Sequence, residues 1–150
     1  MRCGEEAEVS DLVLRVFDEF VADQFSRTGV QEFQSYADPC LLILRSRWNH
    51  FVLLAAAEKE IAGMIEMRDD GHVTLFFVEG RFQGSGVGGE LLRRSLSICM
   101  RVDPEMSAAT VNSAPSAVKI YERLGFRRAG PERTENQIRF APMVLDLYRR

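Results

Sequence analysis

No stretch of this sequence approaches the roughly eighteen uninterrupted apolar residues of a membrane span. The opening MRCGEEAEVS lacks the basic-then-apolar order of a secretory signal. Neither a membrane partner nor export is expected. Runs of Lys or Arg are missing and the net charge is −3, so the electrostatic footprint of a nucleic-acid binder is absent. Cysteine is scarce: Cys3, Cys40 and Cys99 are odd in number and unpatterned. That excludes a disulfide framework, offers no metal site, and fits a reducing, cytoplasmic setting. Repeats, low-complexity tracts and linkers long enough to divide the chain are also lacking. What is present, 150 residues with 46% hydrophobic and 27% charged composition, suits one compact domain over 1–150 with a sizeable core.

The chain is organised around His72 to Arg101. Val73 to Val78 is an apolar, partly β-branched run, too short for a helix and flanked by Asp69, Asp70, Gly71 and Gly80, which reads as a buried strand. Gly84, Gly86, Gly88 and Gly89 follow. Then Val87, Leu91, Leu92, Leu96 and Cys99 recur at helical spacing, with Arg93, Arg94 and Arg101 on the solvent side. A strand, glycine loop and helix in that order form an anion site: the helix start has unpartnered N–H groups and partial positive charge, and glycines let a phosphate reach the backbone. An ordinary tight turn needs fewer glycines, and those inside the first helical turn cost about 1 kcal/mol each against alanine.

Two glycine-loop ligands are disfavoured by what surrounds the loop. Gly84, Gly86 and Gly89 satisfy the dinucleotide pattern, but the next strand, Met106 to Val111, ends in Asn112 instead of a ribose-binding acid. A triphosphate loop requires Lys and then Ser or Thr after the last glycine, where this chain has Glu90 and Leu91. A second stretch follows: the strand Met106 to Val111, Asn112, and a helix from Ser113 to Leu124 closed by Gly125 and Phe126. Ser113 is placed to cap that helix, Pro115 falls in its first turn, and Gly125 sits where a left-handed residue ends it.

Gln83, Gly86 and Gly88 match Q/R-x-x-G-x-G/A, and the Asn112, Tyr121-Glu122, Gly125-Phe126 arrangement follows in order. Together they resemble the GNAT (GCN5-related N-acetyltransferase) superfamily, over Val52 to Leu147 closely and the first fifty residues loosely. The resemblance implies an α+β fold with a mixed, mostly antiparallel central sheet flanked by helices. It implies acetyl-CoA as cosubstrate, with the pyrophosphate on Gln83, Gly84, Ser85, Gly86, Val87 and Gly88. The pantetheine would lie along the backbone of Phe77 and Val78, and Asn112 and Ser116 would face the thiol end. The acceptor would be a primary amine, on a small molecule, an amino acid or a protein.

The rest of the chain fits such a fold. Val9, Leu12, Val13, Val16, Phe17, Phe20 and Val21 mark an amphipathic helix ending before Gly29, and Val30 to Ala37 a shorter one. Leu41 to Arg47 is ambiguous between helix and strand. Phe51 to Ala57, Ile61 to Arg68 and His72 to Glu79 are strands joined by short turns, hence an antiparallel meander. The helix after the glycine loop makes a crossover to a parallel strand at Met106 to Val111. Phe126 to Ala129 and Ile138 to Leu147 complete the set, the last strand offering an exposed edge for a possible homodimer. Acceptor-side loops are expected at Asp23 to Glu32 and Pro131 to Gln137.

The implied chemistry is attack of a neutral amine on a thioester carbonyl, with departure of a thiolate. An alkyl ammonium has a pKa of ~10.4, so a proton must first be removed. Tyr121 matches the tyrosine that protonates the leaving thiolate; its alternative is a packing role with Ala117. For the base, His72 and Glu66 are the candidates, with Glu79 worse placed and a water relay also open. The backbone N–H of Val78 would hold the oxyanion. Arg81 would meet the 3′-phosphate or remain a solvated charge. Two readings of other classes stay open: a non-catalytic acyl-CoA sensor or interaction module, and a nucleotide-binding regulatory domain.

Overall fold

The computed structural model describes residues 1–148. Helices α1 (Glu6–Phe20), α2 (Arg27–Tyr36) and α3 (Pro39–Ser46) precede a meander of β1 (His50–Ala57), β2 (Glu60–Arg68) and β3 (His72–Val78). Then come α4 (Val87–Val102), β4 (Ala108–Ser113), α5 (Val118–Arg123), β5 (Arg127–Arg128), β6 (Arg133–Glu135) and β7 (Ile138–Asp146). The strands form one seven-stranded sheet in the order β1-β2-β3-β4-β7-β5, with β6 also on β7. All pairings are antiparallel except β3 with β4, because only that pair is joined by a helical crossover.

Strand alternation sends side chains to two cores. Ile65, Met67, Val73, Val111 and Met143 meet Leu91, Leu92 and Leu96 of α4 and Tyr121 of α5 on one face. On the other, Met64 and Leu75 meet Val9, Leu12, Val13 and Val16 of α1 and Leu42 of α3. The feature that positions the site is a bulge. Glu66 opposes Leu75 while Met67 opposes Val73, so Thr74 has no opposite residue on β2. A bulge bends its strand and sharpens the local twist. Here the bend falls where β3 leaves β4: the two pair only at His72↔Thr110 and Val73↔Val111, then part.

Several boundaries differ from the sequence expectation. The first helix stops at Phe20, and Ala22–Gln24 forms a separate 3-10 turn. The next helix starts earlier than Val30, at Arg27, because Ser26 caps it by accepting the Gly29 N–H at 3.0 Å. Gly29 thus lies inside a helix; a Cβ there would stand 2.5 Å from Gln137 O, so close approach, not chain reversal, requires the glycine. Leu41 to Arg47 resolves as α3, since Asp38 accepts from the Cys40 and Leu41 N–H groups and Pro39 opens the first turn. Ser113 does not cap the following helix. It ends β4, buried, with its hydroxyl donating to Ala114 O, and a 3-10 turn at Pro115–Ala117 precedes the short α5. Gly125, at φ +103°, closes α5 as anticipated.

The strand expected at Phe126 to Ala129 shrinks to Arg127–Arg128 because Phe126 turns into the core. β6 has no sequence counterpart. The last strand is not a bare edge: β4 pairs with Ala141 to Asp146 of β7, β5 with Met143 and Val144 on its other side, and β6 with Ile138 to Phe140.

Candidate active site at the parting of β3 and β4

Where β3 and β4 part, the β3 edge is left with unpaired peptide groups. The Glu79 N–H donates to Ala62 O at 2.8 Å, which sets the alternation. The peptide groups of Phe77 therefore turn toward β2, and those of Phe76 and Val78 face the gap. Of the two strand residues expected to meet a pantetheine, Val78 turns its peptide groups to the gap and Phe77 does not; those of Phe76 face it instead. The Phe77 side chain packs against Phe33 on the α1 side, with ring centroids 5.7 Å apart.

Beyond β3 the chain makes a 3-10 turn at Gly80–Phe82 and enters the glycine loop. Gln83 does not reach outward: its Nε2 donates to Val78 O at 3.0 Å and ties the loop to the strand end. Ser85 is likewise engaged locally, its hydroxyl donating to Phe82 O. Gly84 and Gly86 have φ of +77° and +91°, and a Cβ on either would meet no atom within 4 Å. Packing does not require these glycines; the left-handed backbone does, and the space over them is open. Gly86 caps α4, and Glu90 is the first residue whose N–H bonds within it, to Gly86 O at 3.1 Å. The N–H groups of Val87, Gly88 and Gly89 stand at the open end of a sixteen-residue helix. Arg81 pairs with Glu60 and lies over the Phe82 ring, 4.8 Å from its centroid, beside the loop.

Tyr121 comes to the gap from α5. Its ring stands edge-on to Phe76 of β3 (6.1 Å, 64°) and to Phe126 (5.4 Å, 77°). Burial pushes its pKa above the usual phenol value, so the hydroxyl keeps its proton across the physiological range. That hydroxyl makes no hydrogen bond to any described residue, and its oxygen, unlike Arg45 Nη2, is not sealed from solvent, so it is free to meet a ligand.

His72 sits at the apex, where β3 and β4 last touch. Its Nδ1 is 2.7 Å from Thr110 Oγ1 and its backbone N–H donates to Asp70 at 3.3 Å. Burial first, and then the Arg68 charge, lower its pKa from 6.5, against a smaller opposing effect of Asp70. The ring is thus neutral at pH 7. Asn112 is exposed on β4 opposite Pro142, and Ser116 bonds to Gln24.

Glu66, the other candidate base, does not project into a cleft. It is 0% exposed, receiving Arg45 Nε at 3.1 and 3.2 Å, Thr74 Oγ1 at 2.6 Å and Tyr36 OH at 3.4 Å. The Arg45 guanidinium lies over the Tyr36 ring at 3.7 Å and donates to Tyr36 O at 2.8 Å. A carboxylate so enclosed joins α2, α3 and the sheet. Glu79 is taken by Arg15. Among the described residues no group of His, Cys, Asp or Glu could hold a metal ion.

Sequence reasoning missed Thr74, Phe76, Thr110 and Gln24. A bulge at Thr74 carries no local mark, and Phe76 differs from Phe77 only in the phase of the strand. Gln24 meets its partner through the fold alone.

The sequence over residues 21–147 matches the family model described as an acetyltransferase (GNAT) domain. No curated protein matches the chain. Among solved structures, it resembles the GCN5-related N-acetyltransferase "aminotransferase, class-II" from Rhodopseudomonas palustris, at TM-score 0.83 and 14% identity, covering 98% of this chain and 92% of that one. PaiA N-acetyltransferase from Thermoplasma acidophilum, solved in complex with coenzyme A, superimposes at TM-score 0.78 and 14% identity, covering 97% and 95%. An acyl-CoA N-acyltransferase from Pseudomonas aeruginosa gives 0.64 and 16%, covering 97% and 92%. With the family model spanning most of its length, and the fold shared from end to end with such enzymes, this chain belongs to the GNAT acetyltransferase family.

Proposed function

We propose that the protein is an acetyl-CoA-dependent N-acetyltransferase acting on a primary amine. The observation that carries this reading is the orphaned, protonated hydroxyl of Tyr121 beside a strand edge that leads directly into an open glycine loop. Acetyl-CoA supplies the thioester. The gap-facing Phe76 carbonyl and Val78 N–H receive the pantetheine amides, and the N–H groups of Val87 and Gly88, reached over Gly84 and Gly86, receive the pyrophosphate. Binding energy gathered at the nucleotide end thereby positions the reacting carbon.

Tyr121 gives its proton to the departing sulfur. His72, neutral and oriented by Thr110, takes the proton of the incoming amine directly or through a water. The N–H of Phe76, on the same side of the strand as Val78 but nearer Tyr121, holds the oxyanion. Asn112 and Ser116 border the thiol end. The net charge of −3 favours a cationic acceptor, such as a small polyamine or a lysine side chain.

Calorimetric titration with acetyl-CoA, coenzyme A, ATP and NAD, beside a Gly86→Glu variant, tests the donor site. Micromolar binding of the coenzyme A species alone, lost in the variant, is the expected result. Binding without thiol release for any amine would favour the sensor reading instead. No binding of coenzyme A would end the transferase reading.

A further inference from the structure

The connection between α1 and α2 belongs to neither strand of the gap, yet it is fastened to the far half of the chain at two places. The Ser116 N–H donates to Gln24 Oε1 at 3.0 Å, and Gln24 Nε2 donates to Ser116 Oγ at 2.6 Å, between residues 92 positions apart. Nε2 also reaches Phe20 O at 3.3 Å, so the carboxamide is held in one orientation. The second fastening lies at Gln137, whose carbonyl is 3.5 Å from Ser26 Oγ and close under Gly29. Between the two, Phe25 packs edge-on against Phe17 (5.1 Å, 80°), which stacks on Phe33 (3.9 Å, 12°), which meets Phe77 of β3. The connection thus rests on the α1 side of the sheet.

Its place relative to the gap follows from its neighbours. The Phe20 ring approaches Gly80 so closely that a Cβ there would be 3.3 Å from it, so the residues after α1 stand beside the C-terminal end of β3. Ser116 follows the C-terminal end of β4. The strands are parallel and diverge in that direction, so the Gln24–Ser116 pair crosses the wide end of the gap. It also holds the turn that leads into α5, and α5 carries Tyr121.

We infer that Gln24 is a positioning residue for the acyl transfer: its carboxamide closes the gap on the α1 side, steadies the approach to Tyr121, and keeps water from the thioester until an amine enters. This rests on the acetyl-CoA reading above. With the bridge removed, a water oxygen attacks the carbonyl carbon and the C–S bond breaks. The sulfur leaves with one proton as the coenzyme A thiol, and acetate and a second proton are released. Acceptor-free thiol release is therefore the readout.

The experiment measures thiol release from acetyl-CoA without amine in the full chain and in Gln24→Ala, Ser116→Ala, the double variant and Gln24→Glu, with acetyl-CoA binding followed calorimetrically in each. Hydrolysis is expected to rise about fivefold or more in Gln24→Ala, which removes both bonds, less in Ser116→Ala, which keeps the backbone N–H bond, and no further in the double variant than in Gln24→Ala. Gln24→Glu keeps two oxygens able to accept from the Ser116 N–H and hydroxyl but loses the donation to Phe20 O, and is expected to recover part of the low rate. Unchanged hydrolysis with acetyl-CoA still bound, effects that add, or no rescue by glutamate would overturn the role of Gln24 while leaving the donor site standing. Failure of the unsubstituted protein to bind acetyl-CoA would overturn both.

Discussion

At the scale of single residues, chemical readiness and structural commitment are separable here by their partners. Tyr121 is buried, protonated and without a hydrogen-bond partner, so its hydroxyl contributes little to the folded state. Tyr121→Phe is accordingly expected to keep the melting temperature and the acetyl-CoA affinity, and to lower kcat by about 10²-fold, the usual worth of a positioned proton donor. An undiminished kcat would return Tyr121 to the core. His72 is committed to the apex through Thr110, and its lowered pKa makes it a base already free of its proton at neutral pH. The acidic limb of kcat/KM is expected below pH 6.5 and is expected to vanish in His72→Ala. A limb that survives the substitution would hand the role to water.

At the scale of elements, the junction of α2 and α3 with the sheet hangs on Glu66. Alternation along β2 places this carboxylate on the α1 side, where Thr74, exposed to it by the bulge, completes its hydrogen bonds with Arg45 and Tyr36. Glu66→Ala would leave the Arg45 guanidinium, whose Nη2 is already buried without a partner, with no counter-charge. The expected cost is about 3 kcal/mol, seen as a melting temperature lower by roughly 10 °C. The acidic limb of the rate profile should stay where it is. A variant of unchanged stability that lost this limb would restore Glu66 as the base.

The same scale shows how a gap is made within a continuous sheet. An extra residue at Thr74 in one strand, two residues of parallel pairing, and a crossover helix that begins on left-handed glycines suffice. The parting thus costs only a few ladder hydrogen bonds.

At the scale of the whole molecule, both histidines are held neutral by the fold. Burial is the leading cause for His50 as for His72, and both lie below their ordinary 6.5. The unfolded chain therefore binds more protons than the native one between those lowered values and 6.5, and stability must fall as the pH drops through that window. The urea midpoint is expected to decrease from pH 7 to pH 5, and to decrease less in His72→Gln. A midpoint that held steady or rose would contradict the lowered values.

What the amino-acid order determined by itself is local. The strand, glycine loop and helix around His72 to Arg101, the cap at Gly125 and the meander of β1 to β3 depend on hydrophobic period and on the conformations that only glycine adopts readily. Tertiary structure alone decided which of two adjacent phenylalanines faces the gap, because one bulge resets the phase of a strand without changing its composition. It decided that Glu66 is an anchor, since a carboxylate is a base or an ion-pair partner according to what surrounds it. It also joined Gln24 to Ser116 and Ser26 to Gln137. Such pairs have no sequence signature, because contacts between distant segments are set by how the helices pack on the sheet.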